Sequence, residues 1–377
     1  MVNFIFRLTS LLVSVIIAFF SSLGEGADYL QKDIAEQPER IAQLEEAYSA
    51  GEIAPVNEAE FFKGDLAAEL EAGIKFNEIA FIATHNSYQK KSVPAMRDFY
   101  SKLSELTFGL IKANTGDFES QTLTQQFNHG IRSIEMDIET IVKDGKILFT
   151  CMHNPTFDMG TSCYDLSLAL KEICLWSDNN PNHLPITVII EPKQIFIPIE
   201  NMEFFNTDYV QELDRMLREN LGNKLFTPAD MLRRYKSFGE MRAADDWCKV
   251  KDMLGKVLVL LHDTAVTEDY IAIDPSIKTQ AMFPMLRENA KERDCASFLL
   301  INSPKSAERC KAEILDEHKF IVRTRADSYN NINENNRKTA ISSGAQIVST
   351  DYPPRDNIDK NYDVFTFENG KTISKVK

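Results

Sequence analysis

The chain has 377 residues, 44% of them hydrophobic and 26% charged, with a formal net charge of −14. That length suits one large domain or two ordinary ones, and the composition is that of a folded globular protein. The acidic balance argues against nucleic-acid binding, which rests on neutralising phosphates, and against steering to anionic membranes by the overall field.

The first segment reads as a signal peptide. Arg7 gives a basic start, Leu11 to Phe20 form a short apolar core, and Ser21, Ser22, Gly24 and Gly26 are small residues suited to cleavage. The alternative is an uncleaved anchor, but the run falls short of the roughly 20 residues that span a bilayer. Residues 1–26 are therefore expected to be removed and the protein secreted. Residues 27–76 are polar and acidic. Helical spacing from Ile34 to Tyr48, broken at Ala54-Pro55-Val56, predicts a helical extension packed on a main domain of residues 77–377. Six cysteines follow: Cys151, Cys163, Cys174, Cys248, Cys295 and Cys310. An even count after a signal peptide fits disulfides, with Cys151/Cys163 and Cys295/Cys310 as the near pairs.

From residue 79 short β-rich runs alternate with longer polar or helical stretches. The runs are 79–86, 132–139, 147–154, 185–193, 256–263, 297–302, 320–327 and 345–353. Helices are expected between most of them, including Asp165 to Trp176 and Phe204 to Leu221. Eight strands with intervening helices predict an α/β fold, a TIM-type (β/α)8 barrel. The gap Thr140 to Lys146 is too short for a helix, so the barrel is expected to be irregular there.

Polar residues close these runs, and strand ends of such a barrel converge on one mouth. Glu135 and Asp137 are two apart on a strand and share a face. With Asn86 and Glu191 they make an all-oxygen set suited to Ca²⁺ rather than zinc; salt bridges to nearby Arg and Lys are the plainer alternative. His85 and His153 are the acid–base candidates, able to flank a phosphodiester in an in-line displacement. His262 is a minor candidate, and His129, His183 and His318 receive no role. Lys193, Arg323 and Arg325 are positioned to hold phosphate, with Asp351 as a further substrate contact; ion pairing with Glu191, Asp327 or Asp351 is the alternative. Aromatics in Phe196 to Tyr209 and in Phe99 to Leu110 are candidates for a rim touching a membrane.

These motifs resemble a known family. Thr84-His85-Asn86-Ser87-Tyr88 looks like the motif opening the catalytic region of phosphoinositide-specific phospholipases C. Gly130-Ile131-Arg132-Ser133-Ile134-Glu135-Met136-Asp137 is similar to the second motif, Cys151-Met152-His153-Asn154 to the region of the second histidine, and Ile189-Ile190-Glu191-Pro192-Lys193 to the strand with the last calcium-binding glutamate. Arg323-Thr324-Arg325-Ala326-Asp327 and residues 344–353 are similar to the secreted, single-domain, calcium-dependent branch. The resemblance spans roughly residues 77–355. It implies catalysis by His85 and His153, Ca²⁺ held by Asn86, Glu135, Asp137 and Glu191, and cleavage of a phosphatidylinositol-type lipid to diacylglycerol and a cyclic inositol phosphate. Metal-free relatives carry arginine where Asp137 stands, so the acid implies metal dependence. A glycerophosphodiester phosphodiesterase or sphingomyelinase D-like enzyme is the alternative, although those usually have His-Arg-Gly where this chain has His85-Asn86-Ser87. A non-enzymatic lipid-binding barrel is the third reading. The expected partners are a phospholipid headgroup and a transient membrane surface, with no obligate protein partner.

Overall fold

Ile79–Thr84 is apolar apart from its last residue and buried along its whole length, as a parallel strand covered on both faces must be. A computed structural model describes residues 2–194, 200–290, 293–360 and 362–376, with side chains from Thr9 onward. Its strands are β1 (Phe62–Lys63), β2 (Ile79–Thr84), β3 (Ser133–Lys143), β4 (Lys146–Cys151), β5 (Ile186–Pro192) and β6 (Met202–Glu203), then β7 (Val257–His262), β8 (Met282–Arg287), β9 (Phe298–Leu300), β10 (Ile321–Arg325), β11 (Ile347–Thr350) and β12 (Ile373–Lys375). Among the described residues, β3, β5, β7, β8, β9, β10, β11 and β2 run parallel in that spatial order. This is the expected barrel, and it is irregular.

The irregularity lies between β2 and β3, which share no ladder. The lower edge of β2 is taken instead by antiparallel β12, with Ile373 opposite Phe81 and Lys375 opposite Ile79. The upper end is stitched by Ser87. Its N–H donates to the Glu135 carbonyl and its Oγ accepts from the Glu135 N–H, both at 2.9 Å.

Two expectations about strands need correction. The 147–154 run is not a barrel strand. It forms β4, the antiparallel hairpin partner of β3, turned at Asp144-Gly145 with φ of 51° and 73°. Two successive positive φ values are what a tight two-residue hairpin requires, and Asp-Gly supplies them. The eighth barrel strand is β8, absent from the expected set. Pro284 lies in its middle, opposite Leu261, and proline argues against a central strand. Burial of Met282, Phe283, Met285 and Leu286 overrides that local signal. Between strands, Asp165 caps Leu166–Asn179 and Asn206 caps Thr207–Leu221, close to the expected helices.

The N-terminal region is one helix, Val2–Ser49, running unbroken across residues 26 and 27. By length and composition it contains a stretch able to cross a membrane. Its later half docks on the barrel. Gln37 exchanges two hydrogen bonds with the Asp165 backbone (2.7 and 2.9 Å), and Arg40 meets Glu172 at 3.0 Å. Its earlier half packs elsewhere. Val15 and Ala18 form a small separate core with Val93, Met96 and Phe99, at the start of and on the helix Pro94–Leu106.

All six cysteines are free, so the expected disulfides are not formed. Four of the thiols have polar neighbours. Cys163 lies by Ser162 Oγ, Cys174 by the Asn220 carbonyl, Cys248 by the Met231 carbonyl and Cys310 by Glu288. Part of the aromatic segment after β5, residues 196–199, lies outside the described residues; of the rest, Phe204 is exposed and Phe205 packs on Phe149.

Candidate active site

The alternation of β3 puts Glu135, Asp137 and Glu139 on one face, all buried. Glu191, in register with Asp137 on the neighbouring β5, completes the group. Ligand oxygens of Glu135, Asp137 and Glu191 all lie within 4.8 Å of one another. Three carboxylates that close need positive charge. Part of it is already there: Arg323 Nη2 bonds Glu135 Oε2 at 2.5 Å, and Lys193 Nζ lies 3.0 Å from Asp137 Oδ2 and 3.0 Å from Glu191 Oε1.

These partners shape the acidities. Burial works against charge on Glu135, but Arg323, then His85 and His262, hold its carboxyl below the usual range. Asp137 goes the other way: burial raises it, helped by Glu191 and Glu135 and opposed by Lys193. Burial also pushes Glu139 to about 7.

The group fits a hard cation. Asn86, just past the end of β2, is buried, and its Oδ1 has no hydrogen-bond partner. Asp137 Oδ1 is likewise buried without a hydrogen bond, and Oδ2 has the Lys193 ammonium beside it. Buried acceptors without donors are rare, and each calls for an explanation. Oxygen atoms from a neutral amide and three carboxylates, converging at one barrel end, are the donor set calcium takes. Asn86 holds its place with a left-handed φ of 46° and an Nδ2 bond to Gln89 at 3.1 Å.

His85 and His153 stand on either side. His85 Nδ1 meets Asp351 Oδ1 at 3.0 Å, leaving Nε2 directed inward, 3.7 Å from Glu135 Oε1. His153 Nδ1 meets Asp158 Oδ2 at 3.2 Å. Burial alone would lower His153, but Asp158 and then Asp137 raise its pKa above the ordinary histidine value. His153 comes from the loop after the β4 hairpin arm rather than from a barrel strand. His262 lies 3.9 Å from Glu191 Oε2.

The expected phosphate contacts are divided. Arg323 is buried, with its guanidinium bonded to Glu135 and Asn302. Arg325 is half-buried, with a buried Nε that has no partner. Lys193 is spent on Asp137 and Glu191. Asp351 gives its oxygens to His85 and to the Tyr329 N–H (2.6 Å). Beside it the mouth opens into a groove of about 660 Å³ lined by Phe118, Tyr329, Tyr352 and Arg355. Sequence reasoning passed over Asp158 and Glu139. Strand alternation from Glu135 already pointed to Glu139. Asp158 sits in an irregular loop, where no periodicity marks it.

Residues 145–375, more than half of the chain, match the model of the family described as phosphoinositide phospholipase C, Ca²⁺-dependent. That span holds His153, Glu191 and the basic residues, while His85, Asn86, Glu135 and Asp137 precede it. No match is found among curated protein sequences. Among solved structures, the calcium-dependent phosphoinositol-specific phospholipase C of Pseudomonas sp. aligns with a TM-score of 0.57 at 17% identity, over 85% of this chain and 100% of that one. Its myo-inositol complex aligns equally well, at 17% identity and TM-score 0.57 over 85% of this chain and 99% of that one. The calcium-dependent phosphatidylinositol-specific enzyme of Streptomyces antibioticus gives 0.50 at 15% identity, over 74% and 95%. At such identities the structures speak for the fold, and the sequence model speaks for descent. With an acidic cluster built for a hard cation inside that fold, the chain belongs to the calcium-dependent phosphoinositide phospholipase C family, a family of phosphodiesterases with calcium as cofactor.

Proposed function

We propose that this enzyme cleaves phosphatidylinositol-type lipids to diacylglycerol and a cyclic inositol phosphate. The observation that carries the reading is the pair of histidines, each with Nδ1 held by its own carboxylate, flanking the Glu135, Asp137 and Glu191 cluster. A carboxylate on Nδ1 accepts its proton and fixes the ring, so Nε2 does the chemistry. Nε2 of His153 carries the exchangeable proton, and a pKa raised by Asp158 and Asp137 favours the protonated form. It donates to the diacylglycerol oxygen as that bond to phosphorus breaks. His85, with Nε2 facing Glu135, serves the inositol 2-hydroxyl as it attacks phosphorus and steadies the charge on phosphate. Asn86, Glu135, Asp137 and Glu191 would hold calcium, which would supply positive charge to acidify the 2-hydroxyl and offset the phosphate. Arg325 is one basic residue that meets the substrate.

The same reading extends to where the enzyme works. Arg7, the apolar run and the small residues after it support export. The cluster of Val93, Met96, Phe99 and Phe157, next in sequence to Asp158, supports a lipid-facing rim; Phe108 and Leu110 beyond it are 90% and 89% exposed. The decisive assay is hydrolysis of phosphatidylinositol vesicles with and without EGTA, following the cyclic product. We expect calcium-dependent release of cyclic inositol phosphate and a loss of about 10²–10⁴-fold in His85→Ala and His153→Ala. Release of glycerol phosphate or ceramide phosphate instead, or indifference to EGTA, would overturn the reading.

A further inference from the structure

We propose that Lys193 is a built-in rival of calcium: its ammonium holds the carboxylates the cation needs, and cation binding must push it aside. The inference rests on the calcium reading above. Lys193 lies two residues after Glu191, on the same face of the chain leaving β5. Its Nζ bridges Asp137 Oδ2 and Glu191 Oε1 at 3.0 Å each. Calcium takes its oxygens at about 2.3–2.6 Å. An ammonium and a calcium ion that each bridge the same two carboxylates ask for nearly the same point in space. They also repel, at short range and in a buried setting.

The two resident cations are not alike. Arg323 is buried, and both ends of its guanidinium are fixed, by Glu135 and by Asn302. It stays. Lys193 ends a flexible four-carbon stem, and about a quarter of its side chain is exposed (24%). It has a way out toward the mouth, where an anionic phosphodiester arrives. Displacement therefore delivers a positive charge to the substrate side at the moment the cation is seated. Lys193 thus sets how much free calcium the enzyme requires, and ties cation binding to phosphate binding.

The test is calorimetric titration of the full chain with CaCl₂ alone, with no lipid, comparing the native protein with Lys193→Met and Lys193→Gln. Both variants remove the charge, and the glutamine keeps a polar tip should the methionine variant fold poorly. We expect calcium binding to tighten about tenfold or more. The variants should melt lower than the native chain in EGTA and gain more from calcium. Equal or weaker binding in folded variants overturns the rivalry and leaves the calcium reading intact. No binding in any of the three proteins at millimolar calcium overturns the calcium reading, and the rivalry with it.

Discussion

The chemistry of single residues here is set by their nearest partner. His153 and His85 share a type, and Asp158 and Asp351 fix the orientation of each ring for the proposed acid–base work. A general acid works while protonated, so the rate falls as pH rises through its pKa. Asp158 is the main group raising His153. Asp158→Asn is therefore expected to move the alkaline limb of the kcat profile to lower pH and to cut the rate on the order of 10²-fold. A pH–rate series on phosphatidylinositol checks this, and an unmoved alkaline limb would remove Asp158 from the role. Residue identity made His85, Glu135, Asp137 and Glu191 legible from spacing alone, because they close or punctuate apolar runs. It raised the ion pair of Lys193 with Glu191 as an alternative, but could not show that Asp137 joins that pair or that Arg323 and Asp351 are taken up by Glu135 and His85. Those contacts join positions far apart in sequence and follow from which strands become neighbours.

At the level of elements, the buried Arg323–Glu135 pair ties β10 to β3 across the barrel end. Removing one member of such a pair leaves an uncompensated charge, at a cost of about 3–5 kcal/mol. Glu135 is held below its usual pKa in the fold, so its contribution is present at neutral pH and lost as pH falls through the folded value. Arg323→Met should thus destabilise most at pH 7. The deficit should shrink near pH 4, where the stranded carboxyl takes up a proton. Urea denaturation in EGTA at the two pH values measures it, and equal losses at both would mean that the pair is not electrostatic in origin. Strand reading found seven of the eight barrel strands. It missed β8 because Pro284 breaks the local pattern, and took β4 as a barrel strand because hairpin arms and barrel strands share the same apolar rhythm.

For the whole molecule, a net charge of −14 bears on the proposed lipid substrate. The overall field does not draw such a chain to an anionic surface, so the proposed membrane contact rests on apolar surface. The face of Pro94–Leu106 that carries Met96 and Phe99 is covered by residues 15–19 of the N-terminal helix rather than by the barrel. A chain lacking residues 1–26 is expected to co-sediment with phosphatidylinositol vesicles more strongly than the full chain, with little loss at 0.5 M NaCl. Met96→Asp with Phe99→Asp should abolish the gain; strong binding by that double variant would place the contact elsewhere. The seam between β2 and β3 has a consequence in time. The lower edge of β2 has no strand to pair with until Ile373–Lys375 have been made, and β12 in turn carries β1. Strands separated by nearly 300 residues must meet to close this edge. During synthesis β2 is therefore expected to keep that edge unpaired long after its other residues have been made.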